Sequence, residues 1–480
     1  MEICLMCDLH LPFDKNALQY DVLDWAISDI NKNKPQGIVF AGDVTCDGNE
    51  EVYDDFIAKM SSLGIPFFYI PGNSDLRLKT SKDSIKNKSS NLENLLNGVK
   101  IFALNDCETL ISEEQYKVIE KADKNSIVFM HHPVKYYGEK MENWCNRHKD
   151  TRLFYGHLHY FETKENTVSL PALDPDKSIG EPPCLVYFNT ETKEIKKSHY
   201  SAPVPKDFGN HFGISCYDTV EQINFAAKNG LKFIEIRPNA LGADETKLLT
   251  AVENWRNSGG EGLSLHLPDV CWDDAQKAVN GQNEAYFGLI KKLKVDRVTQ
   301  HVPQISVKAA RENEGALEKI CDYVAKSLED LPFQITIGIE NMHMTANDTA
   351  DENRRFGYLP EECLEMMEIL SKKTKHKVGI NFDIGHARNN APYSQKYQIS
   401  SWFSLVGKHI VGYHVHQVQL LPDGSFKNHA AITDVYGCLI SYASLFACWE
   451  KGKINKAPLV FEMSGENAYE TTLKCFKMAE

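Results

Sequence analysis

The stretch YGHLHY, Tyr155–Tyr160, places two histidines one residue apart at the end of an apolar run. The runs before it end in the same way. Asp8 and His10 follow MEICLMC, Asp43 follows GIVFAG, Asn73 follows PFFYIPG and His131 follows SIVFM. Carboxylate, carboxamide oxygen and imidazole are donors that suit zinc, manganese or iron, and one carboxylate can bridge two ions. A lone histidine pair on a strand edge is more often structural. Recurrence at five strand ends favours a metal centre built from Asp8, His10, Asp43, Asn73, His131, His157 and His159. His132, the second histidine of HHP, is read as packing or positioning its loop.

The second half repeats the pattern with other residues. His266, His301, Glu340, Asp383 with His386, His414 with His416, and Glu462 close six successive strand-like runs. Cationic residues lie near the same ends: Arg237, Arg388, and Arg354 with Arg355 in the long loop HMTANDTADENRRFGYLP. Guanidinium groups hold phosphate in a bidentate way. These four arginines and His416 are the candidate substrate-binding residues, with surface ion pairing as the bland alternative for each arginine.

Such ligands need strands that deliver them to one end of a sheet or barrel. The first half alternates short β-branched or aromatic runs with helical stretches, as in an α/β sheet feeding active-site loops. A turn-rich piece, LPALDPDKSIGEPP, and strand-like CLVYFNTETKEI follow, and SAPVPKDFGN, Ser201–Asn210, reads as a linker. From Phe212 onward eight strand-like runs, most followed by a helical stretch, match the count and length of a TIM barrel. At 480 residues the chain exceeds one ordinary core, so two domains are expected, 1–203 and 204–480.

Composition narrows the function classes. Forty-two per cent hydrophobic and 25% charged residues fit a globular protein. No run reaches the ~18 to 20 apolar residues of a membrane helix, and the N-terminus lacks signal-peptide features, so a cytoplasmic protein without a membrane partner is expected. Thirteen cysteines, odd in number and scattered, argue against structural disulfides. The net charge is −13, with 23 basic against 31 acidic residues before position 206 and 30 against 35 after it. Neither half has the basic surplus of a protein that holds nucleic acid through its phosphates.

The ordered series DLH, GDVTCDG, GNSD, HHP, GHLH resembles the calcineurin-like metallophosphoesterase family over about residues 1–200. The resemblance implies an αββα sandwich with two divalent ions (Mn, Fe or Zn). Asp8, His10, Asp43 and His159 would hold one, and Asp43, Asn73, His131 and His157 the other. Asp43, Asn73 and His131 are then the catalytic candidates. Many family members carry an acid histidine after the asparagine, where this chain has Ser74, so substrates with good leaving groups or an acid from elsewhere are expected.

The second series, LHLP, QHVP, GIENM, FDIGHA, YHVHQV and FEM, resembles the endonuclease IV and xylose isomerase-like barrel superfamily over about residues 210–480. An endonuclease-like reading implies two Zn or Mn ions: one at His266, His301 and Glu340, a second at Glu340, Asp383, His414 and Glu462, with Glu340 and Glu462 as catalytic candidates. A third ion would involve His386 and His429, but Lys427 stands where an aspartate is expected and Asp423 would have to substitute. An isomerase reading needs one ion on Glu340, Asp383, His414 and Glu462. The chain is therefore expected to be a bifunctional metal-dependent phosphoesterase acting on a small nucleotide or sugar phosphate. The alternatives are a phosphoesterase fused to a sugar phosphate isomerase or epimerase, an abasic-site repair endonuclease with an accessory phosphatase, and a non-catalytic barrel.

Overall fold

Each apolar run of the first half forms a strand in the computed structural model, which describes every residue except 346, 423, 438, 466 and 480. The strands are β1 (Glu2–Met6), β2 (Gly37–Ala41), β3 (Phe67–Ile70), β4 (Glu93–Leu96), β5 (Val99–Ala103), β6 (Ile127–Met130), β7 (Arg152–Tyr155), β8 (Glu162–Lys164), β9 (Thr167–Ser169), β10 (Cys184–Asn189) and β11 (Ile195–His199). They make two sheets, ordered β11-β10-β1-β2-β3 and β4-β5-β6-β7-β9-β8. The central strands β1, β2 and β3 are parallel, as are β5, β6 and β7, so their C-terminal ends share one edge of each sheet.

Period-two alternation explains the layering. Ile3, Leu5 and Val39 from one sheet and Ile101, Ile127 and Phe129 from the other are buried in a common core. Fully burying each such side chain contributes about 1.5 to 3 kcal/mol. The outward set Phe102, Met130 and Leu153 packs with Met141 and Trp144 of the helix Gly138–Arg147. On the other sheet, the helix Leu18–Asn33 buries Leu18, Val22, Ala26 and Ile30, and its Asp29 accepts a hydrogen bond from Tyr187 of β10 at 2.7 Å. The result is the αββα sandwich.

The second unit is a closed barrel of eight parallel strands: Phe212–Cys216, Phe233–Ile236, Gly262–His266, Arg297–His301, Thr336–Glu340, Lys377–Asp383, Ile410–Val415 and Leu459–Phe461. Leu265, Val298, Ile339, Phe382 and Tyr413 are buried on the helix-facing side, alternating with polar inward positions. Two hairpins, Cys271–Asp273 with Ala278–Asn280 and Gln417–Leu420 with Phe426–Ala430, are added to the loops.

Contacts divide the chain into Met1–Pro203 with Asp434–Ala447, and Val204–Thr433 with Cys448–Glu480. A single cut at 203/204 does not anticipate the Asp434–Ala447 segment, whose place in the first unit is set by tertiary hydrogen bonds. Ser441 Oγ lies 2.9 Å from Ser178 Oγ, and the Tyr436 carbonyl accepts the Gly180 N–H at 2.8 Å. The twelve described cysteines are free thiols. Among the described residues no helix is long and apolar enough to cross a membrane.

Candidate metal centres

The ends of β1, β2, β3, β6 and β7 bring the expected ligands of the first unit together. Asp43 divides its two oxygens between two histidines: Oδ2 lies 3.1 Å from His10 Nε2 and Oδ1 lies 3.4 Å from His131 Nε2. Asp8, His10 and His159 converge on the first side. On the second, Asn73 Oδ1 lies 3.0 Å from His131 Nε2 and 2.9 Å from His157 Nδ1. The backbone works to place them. Asp8, His10, Asp43, His157 and His159 all have positive φ, between 48° and 71°, which non-glycine residues rarely adopt. Gly72 is required by close approach, since a Cβ there would collide with the side chain and amide of Asp43.

Carboxylates behind the ligands fix the loops and rings. Asp75 accepts the N–H groups of Val44, Thr45 and Gly72, tying the Asp43 loop to the Asn73 loop. Asp106 accepts the backbone N–H groups of His131 and His132, each at 2.8 Å, and lies 3.3 Å from His132 Nδ1. His132 is thus held in the loop, although its ring also groups with His131 and His157 as a candidate ligand. Asp174 Oδ2 lies 3.2 Å from His10 Nδ1, which orients that imidazole from behind. Ser74 is buried and committed: its N–H donates to Asp43 Oδ1 at 2.8 Å and its hydroxyl to the Thr45 carbonyl at 2.6 Å.

In the barrel, Glu340 occupies the position that Asp43 has in the first unit. Its Oε2 lies 3.3 Å from His266 Nε2 and its Oε1 3.1 Å from His414 Nδ1. Two ligand groups meet at it: His266, His301 and Glu340, and a fully buried set of Glu340, Asp383, His414 and Glu462. Each histidine uses its other nitrogen as an anchor. His266 Nδ1 lies 2.9 Å from the Leu267 carbonyl, His301 Nδ1 2.6 Å from Asp269, and His414 Nε2 2.8 Å from Glu235. Glu235 is itself held by Thr299 and Ser264.

Both sites fit divalent cations. Asp8 Oδ1, both Glu340 oxygens, His266 Nε2, His414 Nδ1 and Glu462 Oε2 are buried without a hydrogen-bond partner, although they face other ligand atoms. Buried polar atoms are rarely left in that state. Charge points the same way. Burial disfavours a charged His131, yet Asp43, Asp8 and Asp106 outweigh it and raise the imidazole to about 10. For His414, burial is likewise overcome by Glu340, Glu235 and Glu462. These carboxylates draw positive charge into the site, which metal ions can supply in place of protons. His157 is held neutral at about 4 by burial and by His131 and His132.

The remaining expected residues fall in different places. Arg237 reaches the barrel centre, with Nη1 2.7 Å from Glu462 Oε1, where Tyr217 also donates at 2.7 Å. His416 is fully buried, 3.2 Å from Asp383 Oδ1, and stacks on His429 with centroids 4.3 Å apart. It therefore lies beside His386, 6.2 Å away by centroid, and His429, with its ring nitrogens on Asp383 and the His429 N–H. Arg354 is corrected: it is buried in a bidentate pair with Glu362 and is not directed at a ligand. Arg355 donates to the Val302 and Pro303 carbonyls and lies 3.7 Å from Asp269, so it reaches the centre only through His301. Arg388 ends the short helix Ile384–Arg388 after the sixth barrel strand. Lys427 pairs with Gln419 in the second hairpin, and Asp423 lies outside the described residues.

Glu235, Asp174, Asp106 and Asp269 were not foreseen. The signal for Glu235 was present in KFIEIRP, a lone acid within an apolar strand, which must be paired if buried. Asp174 lies in a turn-rich piece that gives no such cue.

Comparison with known proteins defines the class. Residues 1–161 match the calcineurin-like phosphoesterase family and residues 223–478 the xylose isomerase-like TIM barrel family. The chain belongs to the xylose isomerase-like TIM barrel family and carries a calcineurin-like phosphoesterase domain ahead of the barrel. That first domain has the fold and ligand set of a metal-dependent hydrolase. Over 177 residues the chain is 26% identical to a "Probable cyclic nucleotide phosphodiesterase" of Xenorhabdus bovienii, covering 30% of this chain and 68% of that protein. It is 27% identical over 157 residues to the "Probable glycerophosphodiester phosphodiesterase GpdQ" of Arcobacter nitrofigilis, covering 28% and 57%. Among solved structures, a D-tagatose 3-epimerase-like protein aligns over 56% of this chain and 96% of its own, at 18% identity and a TM-score of 0.36.

Proposed function

We propose that the chain is a bifunctional metal-dependent phosphoesterase. The first domain would cleave a small phosphodiester or phosphomonoester, and the barrel would act on a phosphorylated nucleotide or sugar, also by phosphoester hydrolysis. One observation carries the reading: each domain has a buried carboxylate set between two histidine groups, Asp43 between His10 and His131, and Glu340 between His266 with His301 on one side and His414 on the other. That is the arrangement a bridged ion pair requires. Paired divalent ions would supply Lewis-acid charge to the phosphoryl oxygens and lower the pKa of a shared water.

The chain's own residues set the geometry. Asp43 and Glu340 hold the two halves of each centre in register, and Asn73 presents a neutral oxygen between His131 and His157. Asp174, Glu235 and Asp269 fix ring orientation. Because the Ser74 hydroxyl is spent on Thr45, the first site has no acid at that position, which favours leaving groups that need no protonation. The printed names of the two phosphodiesterase relatives support small phosphodiesters as the substrate class.

The test is elemental analysis of the full chain together with a phosphodiester and phosphomonoester screen. Two ions per centre, with Asp43→Asn and Glu340→Gln each removing one centre's ions and one hydrolytic activity, would support the reading. A second reading, a sugar phosphate isomerase or epimerase in the barrel, is favoured by the separate convergence of Glu340, Asp383, His414 and Glu462. One barrel ion, and sugar isomerisation that survives Asp43→Asn, would select it.

A further inference from the structure

A cavity of about 530 Å3 opens among residues that begin the barrel strands, including Gly262, Arg297, Thr336, Lys377 and Ile410. The metal ligands sit at the other ends of these strands, so the cavity and the metal centre occupy opposite mouths of the barrel. Between them, positions two residues before each ligand also point inward: Ser264, Thr299, Gly338, Asn381, Gly412 and Val460. Barrels of this type ordinarily stack bulky branched residues there. Here only Val460 is of that kind, and the other five are glycine or polar.

Arg297 uses the space. It lies four residues before His301 and is 7% exposed. Its Nη1 donates to the Val411 carbonyl at 2.9 Å and its Nη2 to Ser264 Oγ at 3.4 Å. A Cβ on Gly412 would collide with the guanidinium. The Nε has no hydrogen-bond partner, and among the described residues no carboxylate comes within ion-pair distance of the side chain, Glu235 acting on it only across Ser264. A buried cation left in that state is costly unless an anion reaches it. A strut across the barrel would explain the two hydrogen bonds but not the rim. There Lys377 and Lys456 join Arg297 in the lining, against the single carboxylate of Asp296, which accepts the Leu263 N–H at 2.9 Å. Lys456 is also paired with Asp207 at 2.6 Å.

We propose that this cavity is a binding site for a small phosphorylated metabolite, separate from both metal centres. Arg297 and Lys377 recognise the phosphate. The volume lies in the range of small-molecule pockets, about 300 to 1,000 Å3, and leaves room beyond the phosphate for the rest of the ligand.

Inorganic phosphate is the probe, titrated calorimetrically into the metal-loaded full chain and into the Thr336→Phe/Lys377→Glu double variant. That variant fills and recharges the mouth while leaving Arg297 and every metal ligand in place. Wild type should bind one more phosphate than the variant, or bind it at least about tenfold more tightly, with phosphoesterase activity and metal content unchanged. Superimposable isotherms from a variant with wild-type circular dichroism would overturn the proposal, as would a difference that follows altered metal content. Arg297→Met adds a second arm: a folded variant that keeps the extra phosphate site also overturns it.

Discussion

Glu235 Oε1 lies 2.8 Å from His414 Nε2, on the face of the imidazole opposite the nitrogen that meets Glu340, Asp383 and Glu462. Both side chains are completely buried. Burial would raise the Glu235 carboxyl, but His414 outweighs it and holds the group ionised at about 2. The pair fixes which nitrogen of His414 is offered to the centre. Glu235→Gln is expected to weaken barrel metal affinity by about 10- to 100-fold without moving the first domain's metal content. Competition with a calibrated chelator checks it, and unchanged affinity would reduce Glu235 to a packing role.

Asp174 makes the same kind of contact with His10, so Asp174→Asn should loosen one side of the first centre only. The expected result is a loss of metal affinity of about 10-fold or more there, with the barrel ions retained. Elemental analysis after graded dialysis reads both centres at once. Equal loss from the two domains would indicate general destabilisation.

Ser74→Ala removes the hydroxyl's hydrogen bond to Thr45 but no acid catalyst. Stability should fall by about 1 kcal/mol, with the unpaired Thr45 carbonyl setting the cost. The ratio of kcat on aryl and alkyl phosphodiesters should stay at the wild-type value. A selective loss on alkyl esters would show that the serine assists the leaving group after all.

Arg354→Ala leaves Glu362 buried with the Gly357 and Tyr358 N–H groups but without its cation, and breaking a buried pair costs about 3 to 5 kcal/mol. Urea unfolding measures the loss, and KM for the barrel substrate in metal-saturated enzyme should change little in protein that remains folded. A large rise in KM with normal stability would restore Arg354 as a substrate contact.

The two kinds of residue differ in how far sequence can reveal them. Strands and candidate ligands were legible because each candidate stands at the end of an apolar run, and period two together with the pattern of residue types needs no tertiary knowledge. The eight barrel strands came out of that pattern, whereas the bridging roles proposed for Asp43 and Glu340 rest on the family resemblances. Pairing did not. Arg354 has the same sequence signature whether it meets a phosphate or Glu362, and Asp174 reads as a turn residue until the fold brings it 3.2 Å from His10 across 164 positions. The Asp434–Ala447 segment likewise looks like any loop and helix between the last two barrel strands.

Five candidate metal ligands of the first domain sit at positive φ, where glycine alone is at ease and other residues cost about 1 to 3 kcal/mol each. Stability and chemistry therefore select in opposite directions at the same codons. A library screened only for heat tolerance would be expected to enrich glycine at positions 8, 10, 43, 157 and 159, and its hardiest members would be the ones that no longer hold metal.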